Sequence, residues 1–580
     1  MLHSLYWTRF AGVLLASLLA AVPAHGRDGG GHHRDADCAA GESLRLVNGR
    51  IHTMDARDSV VSTVLIRDGK FAAVGRSRRG HDGDDECTNT VDLRGRTVVP
   101  GIIDNHNHII LLGLRPGRDV RLENASSIAE ALATLAARAR ETGPGEWVTA
   151  IGGFHRNQFF PDPLPIRFPT LDELTGAVPA RPVFIMEGFA GPGATNALGK
   201  AFLEANGVAV AADGSIATGG PCLQALFLLR QMQTRSSMLR GLQDAMAYAA
   251  GVGVTTHLDQ GGFPAAGNNT DGAANFDRYR AYDSLRALYA ERNLTNRIWL
   301  NFLHLEEDPG TPELRARLLN VFDDFGDDMV RIVGIGEFTS GPFVGYAGTP
   351  QWNSGTRMVA AAGWRNENHS LNIANDWVQI IDGWQSVHDE MVAAGHPDGI
   401  KNLRWVLAHV PVITPAYLQK LKNLGGGVSV LGGWRWLTGG AAPNNGPPFR
   451  DIMASGIPAG MSSDGMQISV MSPWINLYYV VTGKNARGQL INAGQTLGRK
   501  EALRLYTVEN GWFLKAEDKL GSIEEGKLAD LVVLSADYFS ERAVPDEQIK
   551  DLHSVLTVVN GRIVHDDLDG RNRAYWKAGY

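Results

Sequence analysis

Cysteine is scarce in this chain: Cys38, Cys87 and Cys222 are the only three in 580 residues. No more than one intramolecular disulfide can form, which excludes a disulfide-braced scaffold. Runs of lysine or arginine are missing, and acidic residues outnumber basic ones by 62 to 55, for a net charge of −7. That leaves no electrostatic case for binding nucleic acid. No Gly-x-Ser-x-Gly elbow surrounds Ser462 or Ser463, so the usual setting of a serine nucleophile is absent. Past the N-terminus, no segment is apolar and long enough to span a bilayer.

What is present is a large, glycine-rich chain, with 68 glycines and 44% hydrophobic residues. That composition suits an α/β enzyme with many strand-to-loop transitions. At the N-terminus, Arg9 precedes the apolar run FAGVLLASLLAAV, and small residues follow. This reads as a secretory signal over 1–26, cleaved after Ala24 or Gly26, and predicts an exported protein. A retained membrane anchor is the alternative. Residues 27–42 read as a flexible leader. Its His32–His33 pair fits a solvated tail better than a metal site.

From Ser43 to Val98, short β-rich runs alternate with Asn-Gly, Asp-Gly and Arg-Gly turns. The same style returns over 513–580, and VNGRI occurs at Val47–Ile51 and again at Val559–Ile563. The economical reading is one small β-sandwich built from both termini (43–98 and 513–580), with a large domain over 99–512 between them. The middle alternates strand-like and helix-like segments, as βα units do. Setting aside an insertion at about 111–243, which holds strand-like EWVTAIGGF and RPVFIMEGF, leaves eight strands, the number a (β/α)8 TIM barrel requires. TVVPGIIDNHNH would be the first, HSLNIAN the fifth and IPAGMSSDG the eighth.

The strongest local signal is GIIDNHNHI. His106 and His108 lie two apart, on one side of a strand, where an apolar run ends. Two imidazoles converging at the carboxyl end of a barrel strand are natural zinc ligands. A lone His-x-His pair is weak, but ligand-type residues recur at later strands. Glu337 ends RIVGIGE on strand four, His369 begins strand five, His409 ends RWVLAH on strand six, and Asp464 ends strand eight.

These motifs, with GSIEEGKLADLVVL near the C-terminus, PTLDEL, GVTTHLD, ALRLYT and GWRNENH, resemble the amidohydrolase superfamily, in particular amidohydrolase family 3, the YtcJ-like branch. The resemblance covers nearly the whole mature chain. It implies a metal-dependent hydrolase that cleaves a non-peptide C–N bond of a small-molecule substrate. Metal ligands would be His106, His108, His369 and His409, holding one or two divalent ions, with zinc expected. It also implies that Asp464 moves the proton between water and leaving group. The chain departs from the family in places. The strand-four lysine of many members is missing, the nearest basic residue being Arg331, so Glu337 would supply a bridging carboxylate or support a single metal. SLNI follows His369 where relatives read Ala-x-Gly-Asp, and Gly191-Pro192 replaces a glycine–histidine pair.

Several readings stay open at this point. His257 and Asp259, ending strand two, would contact substrate, with His257 or His409 helping to polarise a carbonyl, or would merely support the barrel rim. Trp434 and Trp436, flanking Arg435, would wall the pocket or simply pack. Ester, lactone or cyclic imide hydrolysis, and a non-catalytic exported binding protein on the same scaffold, are the alternatives to amide hydrolysis. In an oxidising compartment Cys38 and Cys87, both beside the N-terminal sandwich segment, are expected to pair and leave Cys222 free, with three unpaired thiols as the alternative.

Overall fold

The computed structural model describes residues 43–75, 88–159, 166–261, 280–440, 446–465 and 468–569. The expected signal, leader and Cys38–Cys87 pair lie outside these residues. No helix among the described residues is long and apolar enough to cross a membrane.

Both termini build the small β-domain. A four-stranded sheet runs in the order Lys70–Val74, Val64–Arg67, Ser43–Val47, Thr88–Asp92. A six-stranded sheet runs Arg562–Asp566, Ser554–Val559, Leu531–Leu534, Thr97–Pro100, Arg50–His52, Val60–Val61. Within it, the C-terminal Leu531–Leu534 pairs antiparallel with the N-terminal Thr97–Pro100. Leu46, Val64 and Phe71 of one sheet share an apolar cluster with Val98, Leu531 and Val558 of the other. Two hairpins turn at Asp68-Gly69 (φ 52° and 73°) and Asn560-Gly561 (φ 51° and 75°). Positive φ at both turn residues is what a two-residue hairpin with right-handed strand twist demands, and Asp-Gly and Asn-Gly tolerate it.

The large α/β domain holds eight parallel strands: β1 Ile102–Asn107, β2 Val254–Asp259, β3 Arg297–Phe302, β4 Val330–Ile335, β5 Glu367–His369, β6 Val406–His409, β7 Gly427–Leu431 and β8 Ala459–Ser462. They form two four-stranded sheets, in orders β4-β3-β2-β1 and β5-β6-β7-β8. Ile335 bridges Asn366 in parallel at one seam. At the other seam the Asp464 amide donates to the His106 carbonyl at 2.9 Å. Helices such as Arg235–Val252, Pro350–Ala361 and Asp376–Ala393 separate the strands, and the large side chains Trp299, Trp352, Trp384 and Trp405 are fully buried.

Two strand expectations need correction. TVVPGIIDNHNH is not one strand. Thr97–Pro100 belongs to the terminal sheet and the chain crosses into β1 at Gly101, where a Cβ would stand 2.2 Å from Thr255 Oγ1. HSLNIAN is not the fifth strand either. Asn372, Ala374 and Asn375 have φ of 63°, 52° and 56°, which no strand accommodates, and His369 ends β5 rather than beginning it. The stretch after β1 forms its own five-stranded sheet, ordered Ser215–Ile216, Gly193–Thr195, Val183–Met186, Val148–Ile151, Arg118–Asp119. Cys222 packs into it as a buried free thiol, its pKa pushed up to about 12 by burial.

The two domains are joined by a buried ion pair. Arg297, on β3, sends Nε and Nη2 to the two oxygens of Asp530 at 2.7 and 2.9 Å, and Asp530 also accepts the Asn560 amide at 2.8 Å. Asp530→Asn would leave the fully buried Arg297 guanidinium without its counter-charge. The expected loss is about 3–5 kcal/mol, read from the denaturant midpoint at unchanged m-value.

Candidate metal centre

All four predicted histidines and both predicted carboxylates meet where the strands end. Glu337, two residues past β4, is the hub. Its Oε1 lies 3.1 Å from His108 Nε2. Its Oε2 lies 2.9 Å from His369 Nδ1, 3.2 Å from His409 Nε2 and 3.4 Å from His106 Nε2. Asp464, two residues past β8, puts its oxygens 3.5 Å from His108 Nε2 and 3.9 Å from His409 Nε2. Three overlapping trios have ligand atoms within 4.8 Å of one another: His106–His108–Glu337, His106–His409–Asp464 and Glu337–His369–His409.

The cluster is buried, and its electrostatics follow from that. Burial alone would neutralise Glu337. The charge of His369, hydrogen bonds from His108 and His369, and the His106 imidazole facing it hold its carboxyl well below the usual range instead. The same contacts act on the histidines against burial. They lift His106 and bring His108 to about 9, while burial prevails at His409 and lowers it. His106 Nε2 makes no hydrogen bond although it is completely buried. A buried, unpartnered imidazole nitrogen facing an ionised carboxylate, among other imidazoles, is the donor set a divalent cation takes. The residues therefore fit the metal that the sequence implies.

Behind the ligands lies a shell that sequence reasoning missed. Glu367, on β5, accepts from His106 Nδ1 at 2.5 Å, which turns Nε2 toward Glu337. Its other oxygen receives Arg365 Nη2 at 2.7 Å and Asn301 Nδ2 at 3.2 Å. His108 Nδ1 is fixed by the Gly261 carbonyl at 3.0 Å. Tyr346 donates to the His369 carbonyl at 2.5 Å, and Phe338 stacks on the His369 ring at a centroid distance of 5.0 Å. Glu367→Gln should weaken metal affinity about 10–100-fold while the ligands remain, as loss of such a partner does elsewhere. Competition against a chelator of known affinity measures this, and unchanged affinity would assign Glu367 to packing alone.

His257 stands apart from the trios. Its Nδ1 accepts from Asn107 Nδ2 at 2.7 Å, and its Nε2 is buried without a hydrogen-bond partner. Burial pushes its pKa down to about 3, so it stays neutral and offers an N–H. Asp259 has a supporting place, accepting the Ile110 and Gly261 amides at 3.0 and 2.9 Å. Arg331 lies against Trp299 and Asp324, away from the cluster. Trp436 is buried, and Trp434 stacks under Arg435 at 4.6 Å. Ser463 is engaged with Asp104.

The sequence profile of the amidohydrolase family matches residues 89–565. N-substituted formamide deformylase of Arthrobacter pascens is 31% identical over 162 residues, 27% of this chain and 29% of that one. Putative amidohydrolase YtcJ of Bacillus subtilis (strain 168) is 31% identical over 121 residues, 20% of this chain and 22% of that one. The chain thus matches less than a third of the length of these curated relatives. An uncharacterized metal-dependent hydrolase from Pyrococcus horikoshii OT3 superposes with a TM-score of 0.54 at 20% identity, covering 86% of this chain and 98% of that one. A mutant of atrazine chlorohydrolase TrzN from Arthrobacter aurescens TC1, complexed with zinc and atraton, gives a TM-score of 0.51 at 16% identity, over 90% and 96%. At these identities the solved structures speak to the fold alone.

Proposed function

Because this chain belongs to the amidohydrolase family, we propose that it is an exported, metal-dependent hydrolase that cleaves an amide-type C–N bond of a small molecule, with its two half-sheets acting as one eight-stranded barrel. The observation that carries this reading is the convergence of His106, His108, His369 and His409 on Glu337 and Asp464. A binding protein on a degenerate scaffold would have no need to keep the whole set in mutual reach. The name of the formamide deformylase relative favours amide over ester.

A bound divalent cation, zinc by preference, would acidify a water and polarise a carbonyl. The chain's own residues do the rest. Asp464 takes a proton from water and passes it to the leaving nitrogen. His257, neutral and with a free Nε2–H, donates to the carbonyl oxygen of the substrate. Glu367 and Arg365 keep the His106 ring from turning.

Purified protein is expected to carry divalent metal, to lose turnover on chelation and to regain it with zinc. The check is metal analysis beside a panel of amides, esters, lactones and cyclic imides. Full turnover in metal-free protein would sink the reading.

A further inference from the structure

Asp104 is a fully buried carboxylate outside the metal-binding trios. It stands on β1, two residues before His106 and directly opposite His257 of β2. Each of its hydrogen bonds is one it accepts. Oδ1 takes the Ser463 amide at 3.0 Å and the His106 amide at 3.4 Å. Oδ2 takes Asn107 Nδ2 at 2.8 Å and the Ser463 hydroxyl. Asn107 lies three residues further on, where strand alternation alone would send it to the other face. A bulge brings it back, since Asp104 to Asn107 of β1 oppose only His257 to Asp259 of β2.

Asn107 carries the constraint to His257. Its Oδ1 accepts the Ile109 amide at 3.2 Å, and its Nδ2 donates to Asp104 and to His257 Nδ1 at 2.8 and 2.7 Å. An ionised carboxylate can only accept, so Asn107 must turn its NH2 toward Asp104 and His257. His257 Nδ1 is then the acceptor, and the ring proton sits on Nε2. That Nε2 is buried and has no hydrogen-bond partner among the described residues. The same carboxylate grips the amide and hydroxyl of Ser463, the residue next to Asp464.

We propose that Asp104 is a positioning residue of the site: through Asn107 it fixes His257 as an Nε2–H donor, and through Ser463 it holds the backbone that carries Asp464. The hydrogen bonds alone set the tautomer. Its use, donation to a substrate carbonyl, rests on the hydrolase reading above.

In Asp104→Asn the Ser463 amide keeps the side-chain oxygen on its own side. The new NH2 then faces Asn107 Nδ2, donor against donor. Asn107 relieves this by turning its amide round, which puts Oδ1 on His257 Nδ1 and moves the ring proton there. The double variant Asp104→Asn/Asn107→Asp removes the conflict, because the amide at 104 can donate to a carboxylate at 107. That carboxylate also faces His257 Nδ1, so the double variant restores the hydrogen bonds but still inverts the ring.

The experiment uses the full zinc-loaded chain, labelled with nitrogen-15 histidine, in mildly alkaline buffer. NMR of the ring nitrogens reports the tautomer, and His257→Gln assigns the ring. Wild type should carry the proton on Nε2, and both variants should carry it on Nδ1. Both should keep their metal and lose about 10²–10³-fold in kcat on the amide panel, the cost of one donor missing from a developing oxyanion, with KM little changed. A merely structural brace predicts otherwise: the double variant, its hydrogen bonds restored, would regain wild-type kcat. That result overturns the proposal, as does a ring proton that stays on Nε2 in the variants. A wild-type ring protonated on Nδ1 overturns it too, and needs no variant to fold. A proton that moves as expected in a chain without amide turnover keeps the positioning role and rejects the hydrolase reading. Amide turnover with an unmoved proton does the reverse.

Discussion

Glu337→Gln is expected to remove bound metal and lower turnover by about 10³-fold or more. Gln fills the same volume, so the change is one of charge. Among the described residues Glu337 is the single carboxylate within 3.4 Å of all four histidines, and it is held ionised against burial. A neutral amide cannot balance a dication in that setting. Several kcal/mol of transition-state stabilisation come from such an ion, and each 1.36 kcal/mol is tenfold in rate, roughly. Metal content by mass spectrometry, single-turnover rate and melting curve on the same protein check the prediction. A metal-loaded, active variant would show that Glu337 merely braces the histidines.

The same variant bears on metal number. Oε1 of Glu337 faces His108 while Oε2 faces His369, His409 and His106, so the carboxylate would be placed to help hold one ion or two. If it bridges two ions, Glu337→Gln should lose both, while His369→Ala should lose only the ion on the His369–His409 side. If one ion is held, the two variants should lose metal alike.

The candidate metal ligands are legible in the sequence because of where they stand. His106, His108, His409 and Asp464 each follow an apolar strand pattern, and a strand end in an α/β domain is where side chains meet. Glu367 and Arg365 were not legible. Charged residues in a short polar stretch read as solvent-exposed, yet both are fully buried because they neutralise each other beside His106. The same polarity hides β5, so the sequence pattern points to a strand after His369 instead of before it. The crossing at Gly101 was missed because VVP and IIDNHN form one uninterrupted β-like run. Only the three-dimensional approach of Thr255 and Asp530 requires the missing Cβ there.

Asp464→Asn separates proton transfer from metal binding. An aspartate that follows a strand can also serve merely to cap the next helix. The geometry removes that role here. Among the described residues the next helix is Pro473–Thr482, and its N-cap is Ser472. Asp464 has φ 46°, a left-handed conformation that Asn tolerates as well as Asp does, so the substitution adds no backbone strain. The Asp464 amide still donates to the His106 carbonyl, which keeps the seam between β8 and β1. The four histidines and Glu337 also remain, so at least one metal ion should stay bound. What disappears is a carboxylate 3.5 and 3.9 Å from the ring nitrogens of His108 and His409, at the more open side of the cluster. An amide there can hydrogen-bond to a water but cannot accept its proton. Loss of a general base typically lowers the rate by about 10²–10⁴-fold. The expected result is a protein with near wild-type melting temperature and retained metal, but turnover reduced by that factor. Turnover equal to wild type in a folded, metal-loaded Asp464→Asn enzyme would take the proton-transfer role away from Asp464.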